Sequence, residues 1–98
     1  MEDFGEKVAF VTGAASGIGL GMVKAFLSKG MQVMMADIEE EALKTAAIGL
    51  DSNAVSTIVC DVSSRESVFD AANETIETFG KVHVVCNNAG VSTGGLID

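Results

Sequence analysis

Apolar residues fall into four compact runs, separated by three stretches in which they recur at wider intervals. The runs are "KVAFVT" (Lys7–Thr12), "MQVMMAD" (Met31–Asp37), "AVSTIVCD" (Ala54–Asp61) and "VHVVCN" (Val82–Asn87). Runs of this length suit strands covered on both faces. After the first run, Ile18, Met22, Val23, Phe26 and Leu27 follow helical spacing, and "SKG" ends that helix with Gly30 placed for a left-handed cap. Glu39, Glu40 and Glu41 open a second helix, where negative charge suits the positive end of the dipole, and Leu43, Ala46, Ala47 and Leu50 give its apolar stripe. Ser63 and Glu66 have the spacing of a capping box for a third helix. Its stripe is Val68, Phe69, Ala72, Ile76 and Phe79, and Gly80 stops it. The remaining "NAGVSTGGLID" reads as loop.

Strand and helix alternate throughout, and each helix is long enough to cross between parallel strands. This predicts an α/β fold, a doubly wound parallel sheet with helices on both faces. With 98 residues, no repeat and no linker, one small domain of modest stability is expected. An apolar share of 48% favours a packed core over disorder.

The net charge of −8 removes some function classes. No basic cluster offers a footprint for nucleic acid or an anionic membrane, so neither partner is expected. An anionic ligand would have to be held by backbone amides and helix ends. "MEDFGEK" lacks the basic start and apolar centre of a signal peptide, and no apolar run approaches the roughly 18 residues of a membrane span. A soluble, cytoplasmic protein is the expectation. Cys60 and Cys86 lie inside separate apolar runs and read as buried, reduced thiols.

Candidate chemistry begins in "TGAASGIG", where Gly13, Gly17 and Gly19 join the first strand to the first helix. An early glycine permits a tight turn; later ones let backbone approach a pyrophosphate and helix pack closely on strand. The helix N-terminus would present free N–H groups to the phosphates. Without a following Gly-Lys-Ser/Thr the segment is not a P-loop, and a purely structural turn is the competing reading. Asp37 ends the second strand at about the 20-residue separation of a ribose-binding acid. Its carboxylate would accept from both adenosine ribose hydroxyls and repel a 2′-phosphate. Neighbouring Ser16 and Ile38 carry no positive charge, so NAD is favoured over NADP. The alternative for Asp37 is a cap on the next helix.

These residues resemble the short-chain dehydrogenases/reductases. "TGAASGIG" is similar to their Thr-Gly-x-x-x-Gly-x-Gly fingerprint, "CDVSS" to their adenine-pocket Asp-Val segment, and "GKVHVVCNNAGV" to their Asn-Asn-Ala-Gly block. The resemblance implies that Asp61 meets the adenine amino group, Val62 lies along the ring, and Asn87 steadies the sheet. It further implies that Asn88, Ala89 and Gly90 line the adenosine ribose, and that Ile18 packs near the nicotinamide end. A Rossmann-type strand order of 3-2-1-4 and a hydride transfer between secondary alcohol and ketone follow by the same route. So does a homodimer or homotetramer of the complete protein.

The chain departs from that family twice. His83 stands where Asp is usual, and a structural role is expected for it. More consequentially, the chain has no Tyr, whereas the family's acid/base is the Tyr of a Tyr-x-x-x-Lys motif. No catalytic residue is therefore assigned, and Lys81 and Ser92 are not candidates. The resemblance spans the N-terminal, cofactor-binding part of a family member, with the catalytic part beyond residue 98. The 98-residue chain alone is expected to be inactive, and poorly stable or associated through an exposed fourth-strand edge. A nucleotide-binding or interaction module without catalysis is the alternative, and a fold of this type that binds nothing is a third.

Overall fold

Seven elements alternate along the chain in the computed structural model, which describes residues 7–15 and 17–88. They are β1 (Val8–Thr12), α1 (Gly17–Ser28), β2 (Gln32–Asp37), α2 (Glu40–Leu50), β3 (Val55–Val59), α3 (Arg65–Phe79) and β4 (Val84–Cys86). The strands are one to three residues shorter than the apolar runs that announce them. Apolar character continues past the last ladder bond, because run ends such as Cys60 and Val82 still pack against the core.

All pairings are parallel, in the order β3-β2-β1-β4. The path from β1 through β2 to β3 steps one way across the sheet, and the path to β4 steps back over two strands. Right-handed crossovers therefore place α1 and α2 on one face and α3 on the other. Between the sheet and the first pair, Ala9, Val11, Val33 and Met35 pack with Val23 of α1 and Leu43 of α2. On the other face Phe10, Met34 and Ala36 pack with Cys60 and Ala71 of α3. Every residue of the central strand β1 is buried, which is why its sequence shows no alternation.

Cys60 belongs to the α3 side, and Cys86 of β4 packs against the cluster on the α1 side. The sheet and two intervening strands thus separate the thiols, and both are free. Gly30 and Gly80 follow α1 and α3 in left-handed conformations, as their positions lead one to expect.

Two expectations for α3 are corrected. Its cap is Ser64, whose hydroxyl accepts the Ser67 N–H at 3.2 Å, and not Ser63. Ser63 is held elsewhere: its hydroxyl and its backbone N–H both donate to Asp61 Oδ1. The apolar stripe also sits differently. Ala71 and Thr75 occupy the buried centre, while Phe69 and Ile76 are exposed on a flank. A buried Thr75 is tolerated because its hydroxyl donates to the Ala71 carbonyl at 2.7 Å, leaving no unsatisfied polar group.

Candidate functional site

The C-terminal ends of β1, β2 and β4 converge on the glycine segment between β1 and α1. Gly13 and Gly17 have φ of 61° and 60°, a left-handed region costly to a residue bearing a Cβ. Gly19 is needed for another reason. A Cβ there would run into the Gly13 carbonyl and stand 2.9 Å from Asn88 Nδ2. The first turn of α1 is therefore pressed against the loop and the end of β4. That turn carries no acidic side chain of its own at the positive end of the dipole.

Thr12 ties these strand ends together. Its hydroxyl accepts the Asn88 N–H at 2.8 Å and donates to Asn87 Oδ1 at 2.9 Å, with the Cys86 carbonyl farther off at 3.4 Å. Asn87 thus steadies the β1–β4 junction, as expected of it, and Asn88 is set beside Gly19.

Asp37 sits where β2 ends, and both of its carboxylate oxygens are engaged. Oδ2 accepts the Ala15 N–H of the glycine segment and Oδ1 accepts the Glu39 N–H, each at 3.0 Å. Glu39, not Asp37, is the N-cap of α2, so Asp37 braces the entry to that helix without capping it. Each carboxylate oxygen retains a further lone pair for a hydroxyl donor.

Asp61 lies just past β3. The Ser63 hydroxyl at 2.7 Å and the Ser63 backbone N–H at 3.0 Å both donate to Oδ1 and hold its carboxyl below the ordinary value of 3.8. The Asp61 N–H donates to Ser67 Oγ at 2.9 Å, anchoring the segment to α3.

The three apolar residues assigned to the site are not in the core. Ile18 is 63% exposed, Ile38 57% and Val62 39%. Ser16, Ala89 and Gly90 lie outside the described residues. His83 stands at the opposite end of β1. The Val8 N–H donates to its Nδ1 at 3.0 Å, and the His83 N–H donates to the Val8 carbonyl at 2.8 Å. Its role is therefore to pair strands.

A helix N-terminus, two glycines held by positive φ and a third by close contact, and an acid at the end of β2 gather at the C-terminal end of a parallel sheet. The family model described as short chain dehydrogenase matches residues 7–98. The chain belongs to the short-chain dehydrogenases. Among related dehydrogenases, it is 40% identical over 99% of its length to a CLA biosynthesis dehydrogenase/reductase of Lactiplantibacillus plantarum, covering 35% of that protein. A C alpha-dehydrogenase of Sphingobium is 38% identical over the whole chain, with 33% of that protein covered. The chain thus spans about a third of the length of the curated relatives it matches. Solved structures of short-chain dehydrogenases superpose well. One from Novosphingobium aromaticivorans gives a TM-score of 0.82 at 37% identity, with 88% of this chain and 32% of that one covered. One from Burkholderia phymatum in complex with NAD gives 0.79 at 36%, with 87% and 31% covered.

Within this short-chain dehydrogenase, sequence reasoning missed Thr12 and the Ala15 N–H as the fasteners of the site. Thr12 was visible as the first letter of the glycine fingerprint, but its role depends on Asn87 and Asn88, 75 and 76 residues away. For Ala15 there was no side-chain signal at all.

Proposed function

We propose that this chain is the cofactor-binding part of an NAD-dependent short-chain oxidoreductase that interconverts a secondary alcohol and a ketone in the complete protein. The observation that carries the reading is Asp37. It holds the glycine segment through the Ala15 N–H and still offers a lone pair on each oxygen at the end of β2. A dinucleotide fits these residues: the first amides of α1 face its pyrophosphate, and Asp37 accepts from its adenosine ribose hydroxyls. Asp61 and Val62 serve the adenine, Asn88 with Ala89 and Gly90 the ribose side of the loop, and Ile18 the nicotinamide end. When bound, the nicotinamide supplies the hydride chemistry. The chain's own residues bind and orient it. Proton transfer belongs to a Tyr that the 98 residues lack.

Several observations support NAD over NADP. A second phosphate at the ribose would meet the Asp37 carboxylate, and neither Ser16 nor exposed Ile38 carries a positive charge to offset it. Solved relatives are described in complex with NAD and with NADH. Cytoplasmic location and a homodimer or homotetramer belong to the same proposal for the complete protein.

Calorimetric titration of the folded chain with NADH and NADPH tests this reading. NADH is expected to bind at least about tenfold more tightly, roughly 1.4 kcal/mol, with Asp37→Ser narrowing the gap. Equal or tighter NADPH binding overturns the preference, and no binding of either overturns the cofactor reading. NADH binding without turnover of any alcohol fits both a cofactor-binding part and a non-catalytic module. Turnover by the 98 residues alone defeats the expectation that they are inactive.

A further inference from the structure

Asp61 is held at every polar group but one. Its backbone N–H donates to Ser67 Oγ at 2.9 Å, and its carbonyl accepts the Ser64 N–H at 2.9 Å. Carboxylate oxygen Oδ1 takes two donors, the Ser63 hydroxyl at 2.7 Å and the Ser63 N–H at 3.0 Å. Oδ2 accepts from no group among the described residues. The segment is also tied to the other acid of the site. Val59 stands in register with Asp37, and the Cys60 N–H donates to the Asp37 carbonyl at 3.0 Å. Asp61 therefore lies two residues beyond Asp37 along the neighbouring strand.

The two donors on Oδ1 have different consequences. A single N–H leaves a carboxylate free to turn about that contact. A hydroxyl arriving as well occupies the second lone pair of the same oxygen and fixes the carboxylate plane. Its 2.7 Å length is that of a charge-assisted hydrogen bond. The same contact holds the Asp61 carboxyl below 3.8, so Oδ2 carries no proton to donate and can only accept.

A fixed, acceptor-only oxygen discriminates between purines. An exocyclic amino group donates to it, whereas an oxo group in that place sets lone pair against lone pair. An oxo-purine also carries a ring N–H next to its oxo group, and a carboxylate free to turn could move to that donor instead. A carboxylate clamped at Oδ1 cannot.

On the cofactor reading above, we propose that Ser63 is a positioning residue for base selection: its hydroxyl clamps Asp61 so that Oδ2 accepts an amino-purine and rejects an oxo-purine. Ser63 is itself exposed, so its replacement leaves the core untouched.

The test is calorimetric titration of the chain, Ser63→Ala and Ser63→Thr with two ligands, NADH and the reduced nicotinamide hypoxanthine dinucleotide. The second ligand has an oxo group where adenine has its amino group. The unsubstituted chain is expected to bind NADH about tenfold or more tightly than the hypoxanthine analogue. Ser63→Ala should shrink that ratio to about threefold or less, and Ser63→Thr, which keeps the hydroxyl, should restore it. A role in stability alone would weaken both ligands equally. A ratio that Ser63→Ala leaves unchanged, or that Ser63→Thr loses as fully as Ser63→Ala, therefore overturns the proposal. So does an Asp61 carboxyl titration, followed by NMR, that stays where it is in Ser63→Ala. Failure of the unsubstituted chain to bind either dinucleotide overturns the cofactor reading and this inference together, whereas NADH binding with an unmoved ratio overturns this inference alone.

Discussion

Gly19 and Gly21 lie two residues apart on α1, and their surroundings make opposite demands. A Cβ at Gly19 would meet backbone of Gly13, which cannot swing aside, whereas nothing stands within 4 Å of one at Gly21. Gly19→Ala is expected to destabilise by about 1–3 kcal/mol and to weaken NADH binding. Gly21→Ala should stabilise the exposed helix by about 0.5–1 kcal/mol. Urea unfolding of both variants checks the pair. Thr12 is the other residue whose worth lies in its neighbours. Thr12→Val keeps the shape but strands the Asn88 N–H and frees Asn87, and should cost about 1–3 kcal/mol. NADH affinity measured alongside should fall, because Asn88 loses its fixed position.

At the scale of elements, the start of α3 divides its work between adjacent serines. Ser64 caps the helix and Ser63 serves Asp61. Ser64→Ala should therefore lower stability by about 1 kcal/mol at any pH where the chain folds. Ser63→Ala should instead act through Asp61. The hydrogen bonds that hold that carboxyl below 3.8 contribute stability that is present above the ordinary carboxylate value and lost as pH falls through the lowered one. Without the Ser63 hydroxyl, the Asp61 titration is expected to move up towards 3.8 and the acid-side loss to shrink. A carboxyl NMR titration of the two variants separates the roles. The capping-box spacing pointed to the wrong serine, because the sequence does not reveal that Asp61 already engages Ser63.

Across the whole molecule, β1 is fastened to β4 at both ends, by His83 at Val8 and by Thr12 at Asn87 and Asn88. Only the second fastening lies at the glycine segment. His83→Asp preserves an acceptor for the Val8 N–H and is expected to leave NADH affinity within about tenfold of the parent. A larger change in calorimetry would give His83 a role beyond strand pairing. The edge of β4 is unpaired among the described residues, and backbone left open there invites pairing with another chain. The 98-residue chain is expected to associate weakly in sedimentation as concentration rises, through backbone pairing that Phe69→Ser and Ile76→Ser do not disturb.

Sequence by itself determined the order of the elements, their parallel arrangement and the place of the site. These depend on local patterns: unbroken apolar runs, helical spacing, and glycines where a strand turns into a helix. Asp37 was legible because it ends a strand at about the 20-residue separation of a ribose-binding acid, and Ile38 by its place beside it, whereas Asp61, Val62 and Ile18 were legible only through the family resemblance. Tertiary structure alone decided which glycine is constrained by φ and which by a neighbour. It also decided that Thr12 is the hub, that Ser64 rather than Ser63 caps α3, and that Phe69 and Ile76 face away from the core. Each of these depends on where a helix rotates or on a partner far along the chain. Spacing records which residues can share a face, and only the packed sheet settles which face is buried and what it meets.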